Sequence, residues 1–346
     1  MAETEMAILK VLLILPYAPA AFMQTDLDLL RRHFDLDVVV HTRGKRQLLL
    51  SVLRCLRRNR PDVLLLWFIV PSYALALTLL GKLCGVKVVF ITGGFDVASI
   101  PAIGFGAMRY PLFRLLLKPT LRLADLTLPF SRSAAQQVAH YAHPRRCAVI
   151  YPGIDTAFFA LAPATGRSPL ALTVSPVTQA AILQKGLWTF VEAARFAPDV
   201  RFALVGVSPD NSLAALRQIA PANVEFIERF LPAEELRDLY RRAWCYVQAS
   251  VHEGFGIAVA EAMACGAVPV VTDRFSLPEV TGGLVEYIPL DDPQATAAAV
   301  LHAGAALPQQ RQALRAWIVA NFALERRERD LLAVLLDLKP GRRSRF

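Results

Sequence analysis

Apolar runs of strand length alternate with amphipathic stretches along nearly all of this chain, and that rhythm admits few folds. In the first half the runs are AILKVLLIL, LDVVVH, VLLLWFIV, VKVVFIT, ADLTLPFS and CAVIYPG; in the second they are LALTVS, VRFALVGV, NVEFIERF, CYVQAS, AVPVVTD and LVEYIPL. Near-continuous apolar runs belong to strands covered on both faces. Helical patterns lie between them, around Thr25–His33 and Met108–Leu123, then at Leu187–Phe196, Ser212–Ile219, Ala233–Ala243 and Gly256–Ala264. Strand, helix and strand in succession imply a parallel sheet with crossover helices. The expected fold class is therefore α/β, with two doubly wound Rossmann-like domains facing across a cleft. Ligands of such sheets bind at the carboxyl ends of the strands.

A chain of 346 residues that is 55% hydrophobic can bury two cores. The segment Gly153–Ser168, with Pro163 and Gly166, reads as the linker, giving domains over 1–158 and 159–320. The helical pattern Gln309–Leu338 is long for one helix and breaks near Asn321. Residues 321–346 are accordingly expected as a C-terminal helix and basic tail that packs back on the first domain. Val63–Gly81 carries no charge and approaches bilayer-spanning length, but Pro71 divides it into a strand and the helix YALALTLLGKL.

The formal net charge of +9 favours anionic partners: nucleic acid, an anionic lipid surface or phosphorylated small molecules. The cations cluster at Arg54, Arg57, Arg58 and Arg60 and again over Arg326–Arg345, without interleaved aromatics, which disfavours nucleic acid. The first cluster shares a helix with Leu53 and Leu56, so an anionic membrane surface is an expected partner, with a solvated basic face as the other reading. Five cysteines, odd in number and without metal-ligand spacing, point to a reducing compartment and no structural zinc. The N-terminus MAETEMAILK carries two Glu before a short apolar run that soon meets Pro16 and Pro19, unlike a secretory signal. A cytoplasmic location is expected, peripheral on the inner face of the membrane where a lipid is involved.

The chemistry concentrates in HEGFGIAVAEAMACGAVPVV, His252–Val271, which follows a strand and opens a helix at Gly256. Gly254 and Gly256 let backbone approach a ligand, and the amides of the helix start suit an anion such as a diphosphate. Glu253 lies in this loop; Glu261, seven intervening residues on, sits in the apolar helix IAVAEAMA, where a pair of ribose hydroxyls would satisfy its carboxylate. Taken singly, Glu253 also reads as a helix N-terminal charge and Glu261 as an ordinary buried glutamate. His252 is read as structural, and no Asp-x-Asp element stands at a strand end to hold a metal.

Together these residues resemble the retaining GT-B glycosyltransferases of family 4, the glycosyl transferases group 1 or glycogen-synthase-like group, over nearly the whole chain. The spaced Glu pair with GFG is that family's signature, and AMACGAVPVVTD, VIYPGID, LPFSRS and LPE with Gly282–Gly283 are similar to its other segments. The resemblance implies that Glu253 lies beside the donor sugar, that amides around Phe255 and Gly256 meet sugar hydroxyls or diphosphate, and that Glu261 holds the ribose. In QKGLWTFVEAA, Lys185 would meet the diphosphate at the start of a helix. GGFD resembles the family loop facing the sugar, so Gly93, Gly94 and Asp96 are candidates on the first domain, with Asp96 equally readable as a turn residue. The family's usual Arg before the lysine is missing from TVSPVTQAAILQKG, leaving Arg274 or Arg229 as candidates for its charge. The first turn, PYAPAAFMQTD, likewise lacks the usual glycines.

The implied activity is metal-independent transfer, with retention, from a nucleotide-sugar donor to a hydroxyl of a glycan, lipid-linked or small-molecule acceptor. No cofactor is expected. Glu253 is assigned to donor positioning, its part as nucleophile or as charge stabiliser being open at this level. A nucleotide-sugar epimerase and a degenerate nucleotide- or membrane-binding non-enzyme are the competing readings.

Overall fold

The computed structural model describes residues 8–42, 44–161 and 166–338. The N-terminal MAETEMA, part of the linker and residues 339–346 of the basic tail lie outside that set. The chain divides into two compact units, one of Met1–Pro101, Gly106–Tyr151 and Arg327–Phe346, the other of Ala102–Phe105 and Pro152–Arg326.

The first unit is built on a five-stranded parallel sheet. Its elements are β1 (Lys10–Leu15), α1 (Ala21–His33), β2 (Asp35–Val40), α2 (Lys45–Arg58), β3 (Val63–Trp67), α3 (Ala74–Leu83), β4 (Lys87–Thr92), α4 (Pro111–Leu123), β5 (Leu126–Pro129) and α5 (Arg132–Tyr141). The strand order is β2-β1-β3-β4-β5. One core forms where Leu48 and Val52 of α2, Leu77 of α3 and Leu117 of α4 meet Leu64 and Val88 of the sheet. Val63–Gly81 thus resolves into β3 and α3, and no helix among the described residues is long and apolar enough to cross a membrane.

CAVIYPG does not form the expected sixth strand. Only one bridge forms, Thr127 with Cys147, with Ala148 and Ile150 donating to the carbonyls of Thr127 and Pro129. The next rung would need an N–H from Pro129, which has none.

The second unit holds a six-stranded parallel sheet with order β11-β10-β9-β6-β7-β8. Its strands are β6 (Ser168–Val174), β7 (Arg201–Val205), β8 (Val224–Ile227), β9 (Ala243–Gln248), β10 (Val268–Thr272) and the two-residue β11 (Tyr287–Ile288). The helices are α6 (Gln179–Lys185), α7 (Leu187–Ala193), α8 (Ser212–Ile219), α9 (Ala233–Arg242), α10 (Ile257–Ala264), α11 (Leu277–Thr281), α12 (Pro293–Gly304) and α13 (Pro308–Phe322); α14 (Leu324–Leu336) starts in this unit and from Arg327 on belongs to the first. Winding reverses at β6, which is flanked by β7 on one side and β9 on the other. Such a switch point opens a crevice at the strands' carboxyl ends, and the two loops that line it lead to α6 and α10.

The long C-terminal pattern breaks at Ala323. There the Phe322 carbonyl accepts from Ile154 at 2.8 Å and Leu324 donates to the Ile154 carbonyl at 2.9 Å, so neither group serves the helix ladder. Three arginines hold the opposite end of α10. Arg167 donates to Cys265 O at 2.6 Å, Arg311 to Gly266 O at 3.0 Å and Arg315 to Ala264 O at 2.8 Å. These carbonyls have no intrahelical partner, and cations at a helix C-terminus are favoured. The helix that starts at the GFG loop is thereby fixed from behind.

Candidate active site

The site in the second unit begins with two loops that lock together. Thr178 caps α6 by accepting from Ala181 N at 3.1 Å, and Gly186 ends it in the left-handed region at φ 65°. A Cβ at Gly186 would meet Ala249 O at 2.1 Å, so only glycine lets the α6–α7 corner approach the end of β9 this closely. Gln184 secures the approach: Val251 donates to its carbonyl at 2.8 Å and its Nε2 donates to His252 O at 3.2 Å. Lys185 is therefore the last residue of α6, one step before the cap of α7, rather than the first turn of a helix.

This corner delivers the Lys185 ammonium to the Glu253 carboxylate as a direct ion pair, with side chains 23% and 8% exposed. The same carboxylate accepts from Ser250 Oγ at 3.1 Å. Behind it, Gln248 Nε2 donates to Ser250 Oγ at 2.6 Å, and Tyr246 donates to Gln248 Oε1 at 3.2 Å. A polar line thus runs from inside the sheet to Glu253. Ser250, Gln248 and Tyr246 were not singled out in the sequence; the available signal was polar side chains in the otherwise apolar run CYVQAS.

A third loop clamps the second. Buried Ser276 shares its hydroxyl between the carbonyls of Glu253 and Phe255, both at 3.0 Å. Its neighbour Phe275 sits at φ 51°, a strained conformation for an aromatic residue, with its ring 4.3 Å from that of His252. Phe255 itself is buried, its ring 5.2 Å from that of Phe322. The Phe255 side chain is thus an anchor, which leaves backbone as the part of residues 254–256 that can face a ligand. Gly256, at φ 100°, starts α10 without a capping side chain.

His252 is almost wholly buried, and burial pushes its imidazole down to about 4 against the counteracting pull of Glu253. It is neutral at physiological pH and carries no proton to donate as a cation. Glu261 lies within α10 and accepts from Tyr240 Oη at 3.2 Å, so it has one protein partner where the sequence left it unpaired. The partner arises because α9 packs beside α10. Burial pushes Glu261 up to about 7, with the tyrosine pulling the other way. A carboxyl raised in this way holds its proton more tightly folded than unfolded, so it subtracts stability as pH rises from about 4.5 to about 7. Wild type is expected to lose up to about 3 kcal/mol relative to Glu261→Gln across that window, measured by urea denaturation of both proteins; a pH-independent difference would exclude it.

Of the candidate replacements for the missing arginine, Arg229 is held by Glu235 at 2.5 Å on the surface, and Arg274 lies exposed, 3.6 Å from Asp273. Arg274 is two residues from the Ser276 clamp. Surface depressions of about 630 and 740 Å³ elsewhere in this unit are lined by neither Lys185, Glu253 nor Glu261. Chemistry, not cavity size, locates the site. Among the described residues no group of three or more His, Cys, Asp and Glu is arranged to hold a metal.

In the first unit, Asp96 is buried and accepts from the backbone N–H groups of Ile69 at 3.1 Å, Gly93 at 3.2 Å and Gly94 at 3.0 Å. Burial lifts its carboxyl to about 6 against these three bonds. Both oxygens are thus engaged in holding the loop after β4. Gly93 passes so close to Phe68 that a Cβ would lie 2.1 Å from its ring.

Two family descriptions match the chain: "Glycosyltransferase Family 4" over residues 41–158 and "Glycosyl transferases group 1" over residues 172–304. The α-maltose-1-phosphate synthase of Mycolicibacterium smegmatis is 35% identical over 150 residues, 39% of this chain and 38% of that protein. The D-inositol 3-phosphate glycosyltransferase of Mycobacterium sp. (strain KMS) is 31% identical over 186 residues, 47% of this chain and 42% of the relative. The chain thus spans less than half the length of these relatives. Among solved structures, Anabaena HepE in complex with UDP and glucose superposes with a TM-score of 0.75 at 15% identity, covering 95% of this chain and 99% of that one. Sucrose-phosphate synthase from Thermosynechococcus elongatus gives 0.75 at 16% identity with the same coverage. With two parallel-sheet α/β domains and both halves of the family matched in order, the chain belongs to the family 4, group 1 glycosyltransferases of GT-B fold.

Proposed function

We propose that the protein transfers a sugar from a nucleoside-diphosphate sugar to an acceptor hydroxyl, with retention at the anomeric carbon and without a metal or other cofactor. The observation that carries this reading is the Lys185–Glu253 pair at the switch point of the second sheet, beside the start of α10. Lys185 is a point charge for the diphosphate, released from Glu253 as the donor enters, and the first amides of α10 supply the remaining stabilisation. Glu253, freed of its cation, orients the donor sugar, and Glu261 takes the ribose. The oxygen of the acceptor attacks on the face from which the diphosphate departs. Asp96 is a positioning residue that shapes the Gly93–Gly94 loop rather than a proton carrier. The acceptor is a glycan, a lipid-linked sugar or a small molecule. Anabaena HepE was solved with UDP and with UDP-glucose, which makes UDP the first nucleotide to test.

The test is a thermal-shift panel of UDP, GDP, ADP and their sugar conjugates on the wild type and on Glu261→Ala. One nucleotide is expected to stabilise the wild type by about 2.7 kcal/mol at a hundredfold excess over Kd, and Glu261→Ala to lose most of that. No response to any nucleotide would overturn the reading. Conversion of the donor sugar to its epimer without an acceptor would favour an epimerase instead.

A further inference from the structure

We propose that the outer face of α2, α3 and α4 docks on a membrane surface containing anionic phospholipid. The strand order places these three helices side by side on one face of the first sheet, with their inner residues in one core. Their outer residues are not those of a solvated surface. Leu50 of α2 is 61% exposed, Leu83 at the end of α3 86%, and Leu115 of α4 70%, with Leu79 and Leu112 also exposed. Exposed leucines on three neighbouring helices mark an interaction surface rather than scattered apolar residues.

Charge identifies the occupant. Between Val38 and Ala124 the only acidic residues are Asp62 and Asp96, and neither is on these helices. Asp96 is buried, and Asp62 accepts from Lys10 N at 2.9 Å. On α2, exposed Arg54, Arg57 and Arg58 surround a shallow depression with Leu50 and Leu53. On α4, Lys118 and Arg122 are exposed. Among the described residues none of these five cations forms an ion pair, whereas most cations of the second unit's surface are paired. An apolar centre flanked by unpaired cations, with no acid on the three helices and with Asp125, after α4, already engaged by Lys82, matches the boundary between acyl chains and anionic headgroups. A protein partner would have to supply all the negative charge itself, and a nucleic acid would leave the leucines without a counterpart.

The experiment is co-sedimentation of the intact protein with vesicles of pure phosphatidylcholine and with vesicles containing about one third phosphatidylglycerol. Binding is expected only to the anionic vesicles and should weaken as salt is raised. Each cation near the surface contributes about fivefold in affinity, so Arg54→Glu, Arg57→Glu and Arg58→Glu together should lower it by at least on the order of a hundredfold. Leu79→Gln with Leu83→Gln should weaken binding without changing the salt dependence. Circular dichroism and native-state hydrogen exchange at the amides of β1 and β3 establish that each variant is folded. Wild type that ignores anionic vesicles, or a charge-reversed variant that binds them equally well, overturns the proposal. So does a dimer, seen by light scattering, that the leucine changes dissociate while vesicle binding is unaffected. Binding is the readout throughout, so this inference and the transferase reading fail independently.

Discussion

Lys185→Met is expected to lower the turnover of sugar transfer by about 10² to 10³, the usual cost of removing one preorganised charge partner from a developing anion. Nucleotide-diphosphate affinity should fall with it. The variant also exposes what the ion pair does in the unliganded protein. Glu253 is buried, and with the lysine gone its carboxylate keeps only the Ser250 hydroxyl among the side-chain bonds described above. A buried charge left without its partner costs several kcal/mol; because Lys185 remains 23% exposed and its pairing is partly screened, about 2 kcal/mol is expected. The double variant Lys185→Met with Glu253→Gln should recover much of that stability and none of the activity. Urea denaturation and initial-rate assays on the wild type and the two variants separate the two roles. A loss of stability in Lys185→Met with transfer unchanged would reduce the pair to a fold element and remove the basis of the proposed mechanism.

The two sheets and the order of their helices were legible because their signal is local: an apolar run, a break, an amphipathic run. The His252–Gly256 loop stood out for a related reason, since Gly254 and Gly256 mark a turn between an apolar strand and an apolar helix. The misreadings come from interactions between segments far apart in sequence. CAVIYPG is as apolar as a strand, yet its pairing stops because the partner position is Pro129. Lys185 reads as the start of a helix and instead ends α6, a helix of only seven residues whose sequence mark is the cap Thr178. Ser276 looks like any turn serine until its hydroxyl is found between two carbonyls more than 20 residues earlier. Glu261 stands out in sequence but its partner Tyr240 does not, and the two meet only because α9 and α10 pack together. Local pattern specifies which elements form; side-chain partners depend on how those elements are assembled.

The largest effect on stability is expected far from the site. Arg327, at the fourth position of α14, is 4% exposed and makes a two-pronged bond to Asp26 of α1, which is 1% exposed, with both contacts at 2.6 Å. The guanidinium also donates to the carbonyls of Ile150 at 3.2 Å and Tyr151 at 2.7 Å and lies over the Phe130 ring at 5.5 Å. One arginine thus ties α14, α1 and the last residues before the chain leaves the first unit, across 301 positions of sequence. Arg327→Met keeps the apolar stem and removes every donor, stranding a buried aspartate; about 3 to 5 kcal/mol should be lost. Asp26→Leu combined with Arg327→Met removes both charges, so much of that loss should return, because a matched buried pair can be replaced by apolar side chains at little cost. The two units need not unfold together, so the measurement is native-state hydrogen exchange at the amides of β1 and β3, which reports the first unit alone. Protection reduced by about two to four orders of magnitude in Arg327→Met, and largely restored in the double variant, is the expected pattern. Equal losses in the single and double variants would mean that the bonds to Ile150 and Tyr151, not the ion pair, hold the C-terminal helix to the first sheet.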